Sequence, residues 1–419
     1  MKWPGLNCIK ALILTLAMVA LPSLGQDLPT GSPEEVGMST ERLARIRPML
    51  QKYVEDGTVP GIAAMVARHG KVVYFEAFGQ AQIEPPVKMD RSTIFRIYSM
   101  TKPVVSVAAM ILFEEGLFRL DDPVSIYLPE LAGLRVYYEG HGDSIATTDM
   151  ERPMTIRHLL THTSGLANGL TGDSYVDSLY RTVNILDRGD TLDETLVKLA
   201  AFPLLHQPGI IWNYGISTDV VGALIERLSG RPLDEFLHER IFEPLRLLDT
   251  GYYVHAEDRQ RLAVCYELDT KGNWVRSRQF WADEYETPPR LHAGGFGLAS
   301  TMSDYMRFLQ MLLNGGELEG VRLLSPKTVE LMLSDNLPTG VEVFSNYGYG
   351  LEFYILKDRI RSGRLASTGT VSGGGVANTF FGIDREDDVI WMVWTQVLPC
   401  CQWKLNNVFE TLVHQAIVE

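Results

Sequence analysis

The chain has few cysteines, no excess of basic residues and one long apolar run, at its N-terminus. Four cysteines in 419 residues cannot form the disulfide framework of a small secreted domain. Acidic residues outnumber basic ones by 52 to 38, giving a net charge of −14. An acidic chain repels phosphate backbones and anionic lipid surfaces, so neither nucleic acid nor a membrane surface is expected as a partner.

The composition is otherwise that of a folded globular protein. Hydrophobic residues make up 46% and charged residues 21% of the chain. No internal repeat and no low-complexity linker divides it. The length is sufficient for one large domain or for two intertwined lobes with a sizeable core.

The N-terminus has the pattern of a secretory signal. Lys2 and Lys10 supply positive charge, residues 11–21 are apolar apart from Thr15, and small residues stand at 23 and 25. This pattern predicts a signal peptide over residues 1–25 and an exported protein, periplasmic or secreted. The run falls short of the roughly 20 residues of a bilayer crossing, so we expect no stable membrane insertion after cleavage. An uncleaved anchor is the alternative.

The remaining cysteines predict no disulfide framework. Cleavage removes Cys8 and leaves Cys265, Cys400 and Cys401. A bridge between adjacent cysteines would be strained, so the sequence assigns no role to Cys400 and Cys401.

Strand-like patterns occur at both ends of the chain, and helical patterns lie between them. Residues 62–67, 72–78, 351–356, 378–383 and 389–396 are typical of strands. Residues 39–56 predict a helix kinked at Pro48, and Ser303 is expected to cap a helix through residue 313. The sequence therefore predicts an α/β lobe in two parts, residues 30–98 and 291–419, with a helical lobe, residues 99–290, inserted between them.

Ser99 and Lys102 are the first candidates for chemistry. Pro103 fits only in a first helical turn, so Ser99 lies at or near a helix N-terminus, where free N–H groups favour a developing anion. Residues three apart share a helix face, so the two side chains can meet. Burial over the apolar helix that follows would favour the neutral amine, which can act as a base. By itself the four-residue motif is more often a surface serine and lysine at a helix start.

The surrounding segments decide between these interpretations. Phe-Arg-Ile-x-Ser-Met-Thr-Lys-Pro, beginning at Phe95, resembles the serine β-lactamase-related family, which includes class C β-lactamases, penicillin-binding proteins and family VIII carboxylesterases. Further matching segments are residues 120–124, 159–166, 208–214 and 294–298. The resemblance runs from about residue 32 to the C-terminus and is closest to the esterase branch. It implies a β-lactamase/transpeptidase-like fold, with an antiparallel sheet flanked by helices and an inserted all-α lobe, and an acyl-enzyme on Ser99.

Two further motifs of this family have counterparts in the chain. Tyr214 corresponds to a tyrosine whose hydroxyl is expected to bond both the serine and the lysine and to relay the proton; a packing tyrosine is the alternative. The family's third motif corresponds to Ser372, Gly373, Gly374 and Gly375, before a strand from residue 378. One of these N–H groups, with that of Ser99, would form the oxyanion hole and bind substrate. A plain glycine turn is the alternative.

Two departures from the family pattern bear on the substrate. Ile216 replaces the asparagine that usually donates to a substrate amide, and the third motif carries no lysine for a substrate carboxylate. Ester cleavage demands less of a site, because an alkoxide is a better leaving group than an amine. We therefore expect a small-molecule ester as substrate. A β-lactamase or D-Ala-D-Ala carboxypeptidase, an acyltransferase and a non-catalytic relative remain alternatives.

Metal and cofactor motifs are weak. His158 and His162 are four residues apart, but no glutamate follows His158 as in a zinc protease, and the resemblance makes His162 part of a structural loop. No Gly-x-Ser-x-Gly elbow or phosphate-binding glycine loop occurs. The sequence predicts neither a metal nor a cofactor.

Overall fold

The structure is a computed structural model that describes Met1 and residues 27–282 and 284–419. Apart from Met1, the predicted signal segment lies outside the described residues. The helices are α1 Thr40–Leu43, α2 Ile46–Glu55, α3 Thr101–Glu114, α4 Ile156–Leu160, α5 Tyr175–Thr182, α6 Leu192–Leu199, α7 Ser217–Ser229, α8 Leu233–Leu237, α9 Glu243–Leu245, α10 Met302–Leu313, α11 Pro326–Met332, α12 Arg359–Ser362 and α13 Leu405–His414. Within the described ranges, no helix has the length and apolarity that a membrane crossing requires.

The strands form one large sheet and several small ones. They are β1 Gly61–Arg68, β2 Lys71–Gln82, β3 Val87–Lys88, β4 Phe95–Arg96, β5 Val136–Glu139, β6 Ala146–Thr148, β7 Tyr266–Leu268, β8 Trp274–Arg276, β9 Ala299–Ser300, β10 Glu317–Leu318, β11 Val321–Arg322, β12 Tyr347–Tyr349, β13 Tyr354–Leu356, β14 Val371–Gly375, β15 Thr379–Asp384, β16 Val389–Trp394 and β17 Val397–Leu398.

The large sheet joins the two ends of the chain. Its order is β12-β13-β14-β15-β16-β1-β2-β3, and every neighbouring pair is antiparallel. The central pairing of β16 with β1 brings Trp391 beside Val66. The predicted antiparallel sheet with flanking helices is confirmed.

Both faces of the sheet are covered. Along β1, Ile62 and Val66 pack with α2 and α13, whereas Ala63 and Met65 pack in the larger core with α3 and α10. A strand buried on both faces reads as a continuous apolar run, which is why β1 shows no polar alternation. The helix α3 is buried along most of its length and packs against α7, so it links the sheet to the helical lobe.

The inserted segment also contains two short hairpins. Strand β5 pairs with β6, and β7 pairs with β8 and with β17 from the end of the chain. The helical lobe is therefore tied to the C-terminal part of the α/β lobe by main-chain hydrogen bonds.

Two helix boundaries differ from the sequence prediction. The chain between residues 39 and 56 forms two helices that meet at Ala44 and Arg45, because Pro48 has no N–H to donate to the Ala44 carbonyl four residues earlier. The expected cap at Ser303 is wrong by two residues. Thr301 caps α10, and its hydroxyl accepts the Asp304 N–H at 3.2 Å.

Candidate active site

Ser99 lies in a 3₁₀ turn, Tyr98–Met100, directly before α3. The residue before it, Tyr98, has a φ of +44°, a region that an aromatic residue rarely adopts. Neighbouring groups hold this turn: the N–H of Ile97 donates to Leu298, and the hydroxyl of Tyr305 donates to the Met100 carbonyl. The strained turn is thus fixed by buried contacts and presents Ser99 at the helix start, where the backbone dipoles favour negative charge.

Lys102 lies one turn further on and points back to Ser99. Its Nζ is 3.3 Å from Ser99 Oγ and 2.6 Å from the carbonyl oxygen of Gly295. The side chain is buried, and its Nζ lies 4.7 Å from the ring centroid of Tyr214. The structure therefore brings the three predicted catalytic side chains together.

Tyr214 is held on the loop before α7. Its carbonyl accepts a bond from the Asn168 side chain at 3.2 Å, and its ring packs 4.6 Å from the ring of His162. The contact with Lys102 is between its Nζ and the ring face. The expected hydrogen bonds from the Tyr214 hydroxyl to Ser99 and Lys102 are not found among the described residues, where Lys102 bonds Ser99 and Gly295 instead. Cation–π attraction to the ring would stabilise Lys102 when it carries its proton.

The segment Ser372–Gly375 forms strand β14 itself, not a turn leading into a strand. Strand β13 pairs with β14 at Val371 and Ser372. The three glycines beyond that pairing line a cavity with Ser99 and Tyr214. A Cβ on Gly375 would lie 2.4 Å from the Ile97 carbonyl oxygen, so glycine is required for β14 to approach the turn that carries Ser99.

Two cavities meet at Ser99, Tyr214 and Val376. The narrow one, about 110 Å³, is mostly apolar, with Leu170, Leu186, Ile216, Phe280 and Phe296 in its wall. The broad one, about 500 Å³, has aromatic walls and includes the glycines of β14. Val376, which was not predicted, follows the glycine segment directly and faces both cavities. Ser99 therefore has open space on two sides, enough for two parts of a small molecule.

The broad cavity contains residues that sequence reasoning missed or left without a role. Arg364 is one of them. Its guanidinium donates two hydrogen bonds to the Glu410 carboxylate, at 2.6 and 2.7 Å, and one to the Tyr347 hydroxyl at 3.0 Å. Cys400 and Cys401 also line this cavity and are joined by a disulfide, contrary to the expectation from their adjacency. No local pattern indicates these positions, because each depends on where α13 and the loop before it pack.

A buried polar network lies behind the site. Nε2 of His162 faces Oε2 of Glu352 at 3.0 Å in a pair that solvent does not reach. Glu352 also accepts bonds from Thr218 at 2.7 Å and Tyr349 at 3.0 Å. Burial acts to raise the pKa of Glu352, but attraction and hydrogen bonding by His162, with help from Lys102, lower it overall. The carboxylate is therefore fully bonded beneath the helical lobe.

A second buried carboxylate, that of Asp219, is connected to Lys102 by hydrogen bonds through the backbone of Gly295. Oδ1 of Asp219 accepts the N–H of Gly295 at 3.0 Å, and the carbonyl of Gly295 accepts from Lys102. Burial raises the pKa of Asp219 to about 6, and the Gly295 bond and Lys102 oppose that shift. Perturbed carboxylates at a cleft are typical of functional sites.

The two histidines considered for metal binding have other contacts. Nδ1 of His158 faces the Thr155 N–H at the start of α4, and His162 packs on Tyr214. Elsewhere in the described residues, Asp384, Asp387 and His414 come close enough to share an ion. The oxygens of Asp384 already accept bonds from His414 and from the N–H groups of Ser367, Glu386 and Asp387, so that cluster has a structural explanation.

The comparison with known proteins identifies the family of the chain. The Beta-lactamase family model matches residues 46–399. The chain belongs to this family. Protein Rv1367c of Mycobacterium tuberculosis is 35% identical over 361 residues, covering 84% of this chain and 89% of that protein. Esterase EstB of Burkholderia gladioli is 32% identical over 365 residues, covering 82% and 87%.

Solved structures give the same assignment. EstCE1, described as a hydrolase with promiscuous acyltransferase activity, matches with a TM-score of 0.73 at 26% identity, covering 90% of this chain and 99% of that one. The predicted β-lactamase/transpeptidase-like fold is thus confirmed. With esterases and acyltransferases among its relatives, the protein is a serine hydrolase of the Beta-lactamase family.

Proposed function

We propose that the protein hydrolyses carboxylic esters through an acyl-enzyme on Ser99. The observation that carries this proposal is the 3.3 Å distance between Lys102 Nζ and Ser99 Oγ at the junction of two cavities. A nucleophile needs a base within hydrogen-bond reach and open space for the reacting carbonyl, and this site has both.

The first half of the reaction forms the acyl-enzyme. Ser99 Oγ attacks the ester carbonyl carbon while its proton passes to Lys102 Nζ. The tetrahedral oxyanion is held by the N–H of Ser99 and by a backbone N–H of the segment Ser372–Gly375. The carbon–oxygen bond to the leaving group then breaks, and the Tyr214 hydroxyl relays the proton to the departing alkoxide.

The second half returns the enzyme to its starting state. A water molecule gives a proton to the same Lys102 and Tyr214 pair and attacks the acyl carbon. The bond to Ser99 Oγ breaks, the oxygen regains its proton, and the carboxylic acid leaves. Each step uses only water and groups of the described chain.

Two features favour an ester over a cell-wall amide. Ile216 lines the narrow cavity where the family's asparagine would donate to an amide, and its side chain has no donor. The cation of the broad cavity, Arg364, is already paired with Glu410, so it is not available to a substrate carboxylate without breaking that pair. The apolar lining suits the uncharged acyl and alcohol groups of an ester.

The test is hydrolysis of nitrophenyl esters of graded acyl length beside a chromogenic cephalosporin. The variants are Ser99→Ala and, as a matched control on the helix that follows, Ser106→Ala, whose buried hydroxyl donates to the Leu351 carbonyl. We expect ester turnover in the wild type and in S106A and none in S99A, with little cephalosporin cleavage. Ester turnover that survives in S99A contradicts the proposal, and faster cephalosporin cleavage would indicate a β-lactamase.

Acyl transfer is the second candidate, because the two cavities give an acceptor alcohol its own space beside the acyl group. EstCE1 is described as having such an activity. Product analysis with nitrophenyl butyrate and a bulky alcohol distinguishes the two outcomes. A new ester that increases with alcohol concentration supports transfer, and butyric acid alone supports hydrolysis.

We also propose that the protein is exported and that its first 25 residues are removed. The support is the charge and apolar pattern of that segment. N-terminal sequencing of protein recovered from outside the cytoplasm is the test, with a start at Gln26 expected. A start at residue 1 in the membrane fraction would indicate an anchor.

A further inference from the structure

The backbone of Gly295 connects the catalytic lysine to a carboxylate on another helix. The Gly295 carbonyl accepts from Lys102 at 2.6 Å, and the Gly295 N–H donates to Oδ1 of Asp219 at 3.0 Å. Asp219 is the third residue of α7, and Lys102 is the second residue of α3. The lysine is thus positioned by a group that is itself fixed to a different helix.

Two glycines make this close approach possible. A Cβ on Gly295 would lie 2.7 Å from Oδ2 of Asp219, and a Cβ on Gly294 would lie 2.2 Å from the Thr218 carbonyl oxygen. Only glycine allows this segment to lie directly on the start of α7. The position of the Gly295 carbonyl therefore depends on α7, and Asp219 is the side chain that holds it.

The charges around Asp219 are few and buried. Lys102 on α3 attracts it, Glu352 repels it, and the phenol of Tyr252 faces it. Burial raises the pKa of Asp219 to about 6, so the side chain is mostly ionised at neutral pH and above. Because water is largely excluded, attraction between this carboxylate and a charge on Lys102 is weakly screened.

We propose that Asp219 is a positioning residue of the hydrolase: it holds the Gly295 carbonyl against Lys102 and stabilises the ammonium that forms when Lys102 takes the proton of Ser99. This inference rests on the proposed function. It gives Asp219 the task that the aspartate performs behind histidine in a Ser-His-Asp triad, where a buried carboxylate orients the base and stabilises its charged form.

Asparagine separates this electrostatic role from a merely structural one. In Asp219→Asn the Oδ1 atom still accepts the Gly295 N–H, so the local geometry is retained while the charge is removed. The matched control is Asp304→Asn. Asp304 is also buried, is also the third residue of its helix, α10, and accepts a backbone N–H from Asp249 at 2.7 Å, but it does not line either cavity.

The experiment measures kcat and KM on a nitrophenyl ester between pH 5 and pH 9, and the rate at which a fluorophosphonate modifies Ser99. At pH 8 we expect D219N to lose about 10- to 100-fold in kcat and in modification rate, with KM unchanged. Below pH 6 the wild-type carboxylate takes up a proton, so the ratio of wild-type to D219N activity should fall. D304N should keep its kcat.

A structural role makes different predictions. If Asp219 only supports the fold, the loss in D219N is independent of pH and follows the folded fraction measured by circular dichroism. Either that result or a kcat within twofold of wild type at pH 8 overturns the proposal. The S99A variant distinguishes failure of this proposal from failure of the proposed function. If S99A still hydrolyses the ester, the proposed function itself fails, whatever the result for D219N.

Discussion

The imidazole of His162 lies 4.6 Å from the ring of Tyr214 and places Nε2 3.0 Å from a buried oxygen of Glu352. One side chain thus packs on the proposed proton relay on one side and contacts a buried carboxylate on the other. Its backbone φ of +53° is a conformation that histidine adopts rarely, and it persists because these contacts require it.

We expect His162→Ala to lower both stability and activity. Removing the imidazole leaves Glu352 buried without its partner, which typically costs about 3–5 kcal/mol in unfolding free energy. It also removes the ring that packs on Tyr214. Denaturant unfolding and ester kinetics are the measurements. His158→Ala, which alters a half-buried histidine on α4 away from Tyr214, should cost only about 1 kcal/mol. Equal losses in the two variants would contradict the assigned role.

Tyr214→Phe tests the hydroxyl alone. The ring contacts with Lys102 and His162 are retained, so the unfolding free energy should change little. Loss of the proton relay should lower kcat by about 100-fold or more. Steady-state kinetics and thermal unfolding check this. Full activity in Y214F would exclude the hydroxyl as a proton relay and leave Tyr214 only a packing role.

Gly375→Ala should impair the oxyanion hole. The new methyl group would lie 2.4 Å from the Ile97 carbonyl oxygen and 2.5 Å from Oγ1 of Thr379, so β14 must move away from the turn that carries Ser99. Loss of one oxyanion donor typically lowers kcat about 100-fold or more. The control is Gly133→Ala, where a Cβ has no neighbour within 4 Å. A G375A enzyme as active as G133A would exclude this segment from the oxyanion hole.

The raised pKa of Asp219 also has a consequence for stability. Its folded-state pKa is about 6 and its ordinary value is 3.8, so the folded protein binds the proton more tightly than the unfolded chain. The unfolding free energy contributed by Asp219 therefore falls as pH rises from about 4 to 6 and stays low above that range. We expect D219N to be at least as stable as wild type at pH 8, with the difference narrowing towards pH 5. Denaturant unfolding at both pH values measures it.

His414 and Asp384 form a buried pair whose contribution to the unfolding free energy also falls as pH rises. Burial disfavours the charge on His414, but the hydrogen bond to Asp384 and the Glu410 carbonyl raise its pKa above 6.5. A raised histidine pKa stabilises the fold fully below the unfolded value, and the contribution is lost as pH rises through the folded value. His414→Gln should therefore lose more unfolding free energy at pH 5.5 than at pH 9. A loss that is equal at both pH values would show that folding does not raise the pKa of His414.

The strands of the large sheet follow closely from local pattern. Residues 62–67, 378–383 and 389–396 were predicted as strands and are found as Gly61–Arg68, Thr379–Asp384 and Val389–Trp394. β-Branched and apolar runs specify such buried strands without reference to distant residues. The fold class was therefore accessible from the sequence.

The ends of helices were harder to predict from the sequence, because two nearby residues can each serve as the N-cap. Thr301 and Ser303 are both good cap residues, and only the packing of Met302 into the core selects Thr301. Pro48 indicated that the helix over residues 39–56 is interrupted but not where. The break lies four residues earlier, at Ala44, whose carbonyl receives no hydrogen bond from Pro48. Such choices depend on contacts that the local sequence does not contain.

The sequence by itself indicated the proposed reacting pair: a serine and a lysine three residues apart at a helix start can share a face, because of the helix period. It also determined the missing donor at Ile216. Only the tertiary structure decided what surrounds that pair. Asp219, Glu352 and Arg364 are far from Lys102 along the chain. Folding alone brings the buried carboxylates of Asp219 and Glu352 behind the lysine, and it pairs Arg364 with Glu410. Helix geometry acts over a few residues, whereas burial and the charges it brings together depend on the whole fold.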